Sequence, residues 1–280
     1  MHDETMFDIT SQEKAKGFLS NFLNIGIDNI ENYISNNAVE YDAEDFIDKN
    51  DIKLEKVQIR NLQLIVQHIS TSHDECQSLR KFGLLNLQQS LTMETILKEY
   101  LASFGIFFDI SNKWMACKGE KIDITYKSDD IGLPGGSQKH RICRVAHKIY
   151  YDYQINGFFS MANKTSYGGR VHERPEFLHN LKELFKANII EDNWMKRVNP
   201  YLITFKASLD SFAWFSFYNN KREYEEDYFE KEEIKKWLIK KALYVIWKDF
   251  RYSRPEIIAY MKPEVIIPPS DFLSIEEIMN

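Results

Sequence analysis

Cysteine is scarce in this 280-residue sequence, which contains only Cys76, Cys117 and Cys143 and no CxxC pair. An odd number of widely separated cysteines argues against a disulfide framework and against a structural zinc site. Long apolar runs are lacking too. The sequence contains no run of about 18 apolar residues, so it predicts no transmembrane helix. The N-terminus lacks the basic and apolar regions of a secretory signal. We therefore expect a cytoplasmic protein that does not insert into a membrane.

The sequence also lacks an excess of positive charge, because its formal net charge is −6 at pH 7. The chain as a whole therefore offers no general attraction to nucleic acid or to an anionic membrane, although a local basic groove is compatible with this total. Apolar residues make up 44% of the sequence and aromatic residues 14%. Such a composition is typical of a globular protein and argues against extended disorder.

Apolar periodicity predicts helices and strands that interleave along the chain. A polar, acidic stretch separates two short N-terminal helices from the rest, so we predict a helical appendage with its linker over 1–50 and a main domain over 51–280. Elements predicted in the main domain include strands at 57–70, 104–110, 121–127 and 156–162 and a long charged helix at 229–250. No glycine-rich turn leads from a strand into a helix, so the pattern favours the α+β class over a doubly wound parallel sheet.

Two local patterns help to define the main domain. A helix is predicted around 73–82 and ends at Gly83, a residue type that favours the C-cap. Near the C-terminus, "PEIIAYMKPEVIIPPSDFL" predicts two short strands that Lys262 and Pro263 separate.

Three motifs with chemical potential follow one another in the sequence. First, "QHISTS" closes an apolar strand with His68, Ser70 and Thr71, and a helix and a "GLL" turn at Gly83 follow it. Second, "FGIFFD" is a short aromatic strand that contains Phe107 and Phe108. Third, "RPEIIAYMKPEVIIPP" begins with Glu256 directly before an apolar run.

This order of motifs resembles the ADP-ribosyltransferase superfamily, on the branch that uses a histidine, an aromatic residue and a glutamate. That branch includes the poly-ADP-ribose polymerases and the DarT-type bacterial toxins. "HIST…LRKFGLLNL" is similar to the family's opening strand, helix and "GL" element, and "PEIIAYMKPEVIIPPSDFL" is similar to its closing strand. The resemblance covers about 57–110 and 250–275. It implies a split mixed β-sheet with flanking helices, and NAD as the substrate.

The resemblance also implies roles for individual residues. Glu256 would be the catalytic carboxylate, because cleavage of the bond between nicotinamide and ribose develops positive charge on the ribose. His68 would hydrogen-bond ribose hydroxyls, and Ser70 or Thr71 would hold the carboxamide or ribose beside it. Gly83 belongs to the "GL" element of the NAD-binding motif. Phe107 or Phe108 would stack on the nicotinamide ring where the family usually has tyrosine, since phenylalanine retains the stacking surface.

The residues themselves leave alternatives open. Glu264 precedes "VIIPP" as Glu256 precedes "IIAYM", and Ser72 could cap the helix that follows. Because Phe107 and Phe108 alternate across a strand, at most one of them faces a pocket. The stacking ring could instead come from an aromatic residue elsewhere in the chain: Tyr150, Tyr151, Phe158 or Phe159.

The expected function is mono-ADP-ribosyl transfer to a macromolecule, in a toxin or a phage-defence effector that an antitoxin or inhibitor could bind. RNA or DNA is favoured over protein as the acceptor because basic and aromatic residues interleave in "SQKHRICRVAHKIYY" (137–151). One alternative is an inactive, transferase-like binding module. Another is a metal-dependent hydrolase that uses the ligand-type side chains of "HERPEFLH" (172–179), although this is not the HExxH zinc pattern.

Overall fold

The structure is a computed structural model that describes residues 4–59, 61–132, 134, 136–165 and 168–279. The chain forms two compact units. The first unit consists of 1–68, 156–162 and 204–261, and the second consists of 69–155, 163–203 and 262–280. The N-terminal helices belong to the same unit as 204–261.

Helices and strands interleave along the described residues. The helices are α1 (Gln12–Leu23), α2 (Ile27–Asn36), α3 (Ala43–Lys49), α4 (Gln77–Phe82), α5 (Leu87–Thr92), α6 (Ile96–Ala102), α7 (Gln138–Tyr150), α8 (Glu176–Phe185), α9 (Ile189–Met195), α10 (Lys221–Asp227) and α11 (Glu232–Phe250). The strands are β1 (Met6–Phe7), β2 (Gln63–Ser72), β3 (Ile106–Asp109), β4 (Trp114–Cys117), β5 (Glu120–Asp123), β6 (Asn156–Ser160), β7 (Asn199–Ser208), β8 (Ile257–Tyr260) and β9 (Phe272–Glu277). This mixture confirms the α+β class.

The sheet of the first unit has the strand order β8-β6-β2-β7, and β1 pairs in parallel with β2. β6 is antiparallel to both of its neighbours, and Phe158 pairs with Gln67 on one side and with Ile258 on the other. Gly157 is required for the close approach of β6 to β2. A Cβ atom at Gly157 would lie 2.4 Å from Cγ1 of Val66.

The N-terminal helices are an integral part of the first unit. α1 packs along α11 through an apolar face that includes Phe18 and Leu19. α3 forms within the stretch that we predicted as a linker, because the Asp42 side chain accepts hydrogen bonds from two backbone N–H groups of its first turn. Phe46 and Ile47 of α3 are buried. A helix cap and two buried apolar residues thus help to order an otherwise acidic segment.

The second unit has its own core, around α7 and α8 and a three-stranded antiparallel sheet in the order β3-β4-β5. Sequence periodicity did not predict β4, which is only four residues long. Lys118 and Gly119 between β4 and β5 both have positive φ, at 51° and 89°, as a tight two-residue hairpin requires. Lysine is an uncommon residue in such a turn, so the sequence signal for this hairpin is weak.

The C-terminal segment differs from its prediction. Its first predicted strand is β8, but "EVIIPP" forms no strand, and only Ile267 makes an isolated bridge, with Leu84. The prolines at 263, 268 and 269 have no N–H for a strand ladder, and β9 follows them instead. The predicted C-cap at Gly83 is confirmed, with φ of 81°. A Cβ atom at Gly83 would lie 2.1 Å from the carbonyl oxygen of Ile267.

None of the helices in the described ranges is both long enough and apolar enough to span a lipid bilayer.

Candidate functional site

His68 lies on β2, next to the pairing of Gln67 with Phe158. Its Nδ1 atom is 2.7 Å from the backbone carbonyl oxygen of Asn156 on β6. Because a carbonyl oxygen can only accept, Nδ1 carries the proton and Nε2 presents a lone pair. Burial lowers the pKa of His68 and outweighs the opposing effect of this hydrogen bond. The imidazole is therefore held neutral, with Nε2 as a hydrogen-bond acceptor.

Glu256 lies in the same unit, one residue before β8. The preceding residue, Pro255, is buried, and its carbonyl oxygen accepts a 2.8 Å hydrogen bond from the Ser160 hydroxyl of β6. This bond fixes the backbone that carries Glu256, whose own side chain is exposed. The rival carboxylate, Glu264, is also exposed but belongs to the second unit.

Strand β6 separates His68 from Glu256. Gln67 on β2 pairs with Phe158 on β6, and Phe158 pairs with Ile258 on β8. His68 on β2 and Glu256, directly before β8, are therefore two strands apart in the sheet. From ordinary strand spacing, their Cα atoms lie roughly 10 Å apart across the sheet and roughly 10 Å apart along it. No hydrogen bond joins the two side chains among the described residues, and neither residue lines the cavities described below.

Ser70 and Thr71 lie in the second unit, as does Ser72. Thr71 Oγ1 accepts a 3.0 Å hydrogen bond from the indole N–H of Trp194. Ser72 Oγ accepts a 2.8 Å bond from the backbone N–H of Cys76, which precedes α4. Thr71 and Ser72 therefore have structural partners already, while Ser70 is half-buried.

The two phenylalanines of β3, also in the second unit, differ in their surroundings. Phe107 is 53% exposed. Phe108 packs against the core of the second unit, and its ring centroid is 5.6 Å from that of Phe177. Phe107 is thus the residue of this pair that is available for stacking on a ligand. Gly83 has a packing role of its own, since its missing side chain makes room for the backbone at Ile267.

The two glutamates of "HERPEFLH" are engaged by cations. Arg170 pairs with Glu173, and Lys148 lies 2.6 Å from Glu176. Arg174 is buried and donates to Glu191, which is buried as well. No group of three or more His, Cys, Asp or Glu side chains that could hold a metal ion occurs in the described part of the chain. These contacts favour a structural role for the segment.

The basic segment 137–151 forms α7, and part of its charge is neutralised. Lys139 pairs with Asp130, and Lys148 pairs with both Asp152 and Glu176. Together with α8, this helix lines a cavity of about 550 Å³. The side chains that line it are His140, Arg144, His147, Lys148, Asp152, Glu176 and Asn180.

A larger cleft, of about 900 Å³, lies in the first unit. Its lining comes from 39–44, from 215–219, from Glu223 of α10 and from α11, and it includes several aromatic rings, lysines and carboxylates. Sequence reasoning missed this cleft, because we interpreted 39–44 as linker and α11 only as a long charged helix. The repeated Trp and Lys residues of α11 were the available signal. Neither this cleft nor the cavity beside α7 is lined by His68 or Glu256.

Comparison of the chain with protein-family models, with curated proteins and with solved structures found no match.

Proposed function

We propose that this protein is an NAD-dependent mono-ADP-ribosyltransferase that releases nicotinamide and places ADP-ribose on a macromolecule. The observation that carries the proposal is the state of His68. Its Nδ1 is 2.7 Å from the Asn156 carbonyl oxygen, so the neutral ring keeps Nε2 as an acceptor for a ribose hydroxyl. The ADP-ribosyltransferase core, the NAD specificity and the individual site roles rest on this geometry together with the motif resemblance.

Glu256 supplies the second element of the proposal. It is an exposed carboxylate in the same unit as His68, on a backbone held by the hydrogen bond from Ser160 to Pro255. The bond between nicotinamide nitrogen and ribose C1′ breaks, and nicotinamide leaves with the electron pair. The carboxylate stabilises the positive charge that develops on the ribose. A nucleophile of the acceptor then bonds to C1′ and loses its proton.

The acceptor proposed is nucleic acid in preference to protein. The charges of α7 that support this choice are Arg141 and Arg144, for which no acidic partner lies within salt-bridge distance among the described residues. Unpaired guanidinium groups beside His140 and His147 suit phosphate contacts. A toxin or phage-defence setting, with an antitoxin or inhibitor as a further partner, is part of the same proposal.

The decisive experiment incubates the protein with labelled NAD and a cell extract, and measures nicotinamide release. Mass spectrometry then identifies which polymer gains the mass of ADP-ribose. We expect Glu256→Gln to lower release by about a hundredfold or more while changing NAD affinity by less than about twofold, because its interaction acts in the transition state. His68→Ala should weaken NAD binding by about tenfold, as expected for the loss of a hydrogen bond to the ligand.

Glu264→Gln is the matched control, because Glu264 is an equally exposed glutamate that also follows a proline. It should leave nicotinamide release unchanged. Wild-type protein that releases no nicotinamide with any extract would overturn the proposal in favour of a binding module. A loss on Glu264→Gln equal to that on Glu256→Gln would overturn the assignment of the catalytic carboxylate.

A further inference from the structure

The cleft of the first unit combines aromatic walls with lysines. Tyr41 lies on one wall, in a tilted contact with the ring of Trp247 at a centroid distance of 5.4 Å. Phe215, which is 48% exposed, and Trp237 also line it. The volume of about 900 Å³ falls in the range of small-molecule sites. Flat apolar walls of this kind suit a planar ring.

Two adjacent lysines of α11 line the same cleft without an acidic partner. Lys240 is exposed, and Lys241 is half-buried with its ammonium 5.7 Å from the ring centroid of Trp237. Neither forms a salt bridge within the described part of the chain. By contrast, the neighbouring Lys236 lies 3.2 Å from Glu233 and 3.6 Å from Glu44. The cleft therefore contains one lysine that carboxylates neutralise and two lysines that are available to bind an anion.

The position of Lys241 is energetically unfavourable without an anion. Burial lowers its pKa, and the adjacent Lys240 lowers it further. A half-buried ammonium that lacks a counter-charge costs free energy, and a bound anion would offset that cost. The aromatic contact with Trp237 compensates only in part.

Carboxylates supply a third kind of group. Five carboxylates line the cleft. Asp42 caps α3, Glu223 accepts hydrogen bonds from Asn219 and Asn220, and Glu233 pairs with Lys236, whereas Glu40 and Glu44 are exposed. Carboxylate oxygens accept hydrogen bonds from hydroxyl groups. The cleft thus offers cations for an anionic group, rings for stacking and acceptors for hydroxyls.

We propose that this cleft is a binding site for a nucleoside phosphate. The phosphate contacts Lys240 and Lys241, the base stacks on an aromatic ring that lines the cleft, such as that of Phe215, and the sugar hydroxyls donate to the carboxylates. The site involves neither His68 nor Glu256, so it is independent of the proposed transfer reaction.

AMP is the ligand for the test, and tryptophan fluorescence is the readout, because Trp237 and Trp247 line the cleft. We expect saturable quenching by AMP. The double substitution Lys240→Met and Lys241→Met should weaken AMP binding by about tenfold or more, as expected for the loss of charge-assisted hydrogen bonds.

Lys248→Met is the matched control. Lys248 lies on the same helix and is half-buried, with its ammonium 5.3 Å from the ring centroid of Trp247, but it does not line the cleft. Its substitution should change AMP affinity by less than about twofold, since it removes no contact with the ligand. If circular dichroism shows that the double variant is unfolded, the single change of the exposed Lys240 provides the same comparison.

Further ligands and variants separate the competing outcomes. Adenosine and inorganic phosphate should each bind more weakly than AMP. Absence of saturable AMP binding to the folded wild type, or equal binding to the lysine variants, would overturn the proposal. Much tighter binding of a single-stranded oligonucleotide would overturn it in favour of a nucleic-acid groove. His68→Ala and Glu256→Gln should retain AMP binding, so failure of the transferase proposal is distinguishable from failure of this one.

Discussion

Arg174 and Lys148 in the second unit differ from Lys241 in the first unit in whether a carboxylate neutralises the charge. In the second unit, Arg174 donates to the buried carboxylate of Glu191, and Lys182 lies 2.9 Å from the same carboxylate. Lys148, near the α7 cavity, pairs with both Asp152 and Glu176. In the first unit, Lys241 is half-buried in the cleft, and its described neighbours include no acidic partner.

The difference separates structural charges from charges that are available for binding. A buried ion pair loses stability when one partner is removed, because the other remains desolvated without compensation. An unpaired ammonium has no such partner, and its removal relieves a desolvation cost. Arg174 and Lys148 in the second unit should therefore respond in the opposite way from Lys241 in the first unit to the same kind of substitution.

The largest effect is expected for Arg174→Met in the second unit. It leaves Glu191, which is 3% exposed, without its guanidinium partner. We expect the free energy of unfolding in urea to fall by about 3 kcal/mol. Arg222→Met is the control, because the ion pair of Arg222 with Glu226 is exposed, and its loss should cost less than about 1 kcal/mol. Equal effects would remove the distinction between the two kinds of pair.

The pH dependence of stability tests the same network. Burial alone would raise the pKa of Glu191, but hydrogen bonds from Arg174 and Lys182 lower it from 4.5 to about 2. A lowered folded-state pKa adds stability that is present above pH 4.5 and is lost as the pH falls towards 2. Urea unfolding between these pH values should show a steeper decline for wild type than for Glu191→Gln. Identical slopes would show that Glu191 titrates normally.

A smaller effect is expected for Lys148→Met. The methionine retains much of the apolar stem but removes the ion pairs with Asp152 and Glu176. Because the Lys148 side chain is 18% exposed, we expect a loss of about 1–2 kcal/mol in the free energy of unfolding. Thermal or urea unfolding provides the measurement. A gain in stability would mean that Lys148 behaves like an unpaired lysine, as we expect of Lys241 in the first unit.

The smallest effect is expected for Lys241→Met in the first unit. The free energy of unfolding in urea should stay unchanged or rise by up to about 1 kcal/mol, because the substitution removes a half-buried ammonium that has no counter-charge. A decrease of more than about 1 kcal/mol would contradict this expectation and would indicate a structural partner for Lys241 in the folded state.

Local sequence signals predicted most of the secondary structure. The apolar run that contains Leu64, Ile65 and Val66 predicted β2, and Gly83 predicted the end of α4. The local sequence signals failed where the structure depends on a single turn, a single helix cap or a few prolines. β4 depends on a Lys118-Gly119 turn, α3 on the cap by Asp42, and the absence of a strand at "EVIIPP" on its prolines.

The candidate site was less accessible to sequence reasoning. The motif order singled out His68 and Glu256, and the structure places both in one unit. The sequence could not reveal that Asn156 fixes the tautomer of His68, because their contact joins positions 88 residues apart. It also could not reveal the cleft, whose walls come from four separate stretches of chain.

The sequence by itself determined the α+β class and most helices and strands, because periodicity and caps act over a few residues. Only the tertiary structure decided which charged side chains are neutralised. Lys148 meets Glu176 and Arg174 meets Glu191 across 28 and 17 residues, while Lys241 meets no carboxylate in the described chain. Such pairing depends on how distant segments pack, and local composition does not encode it.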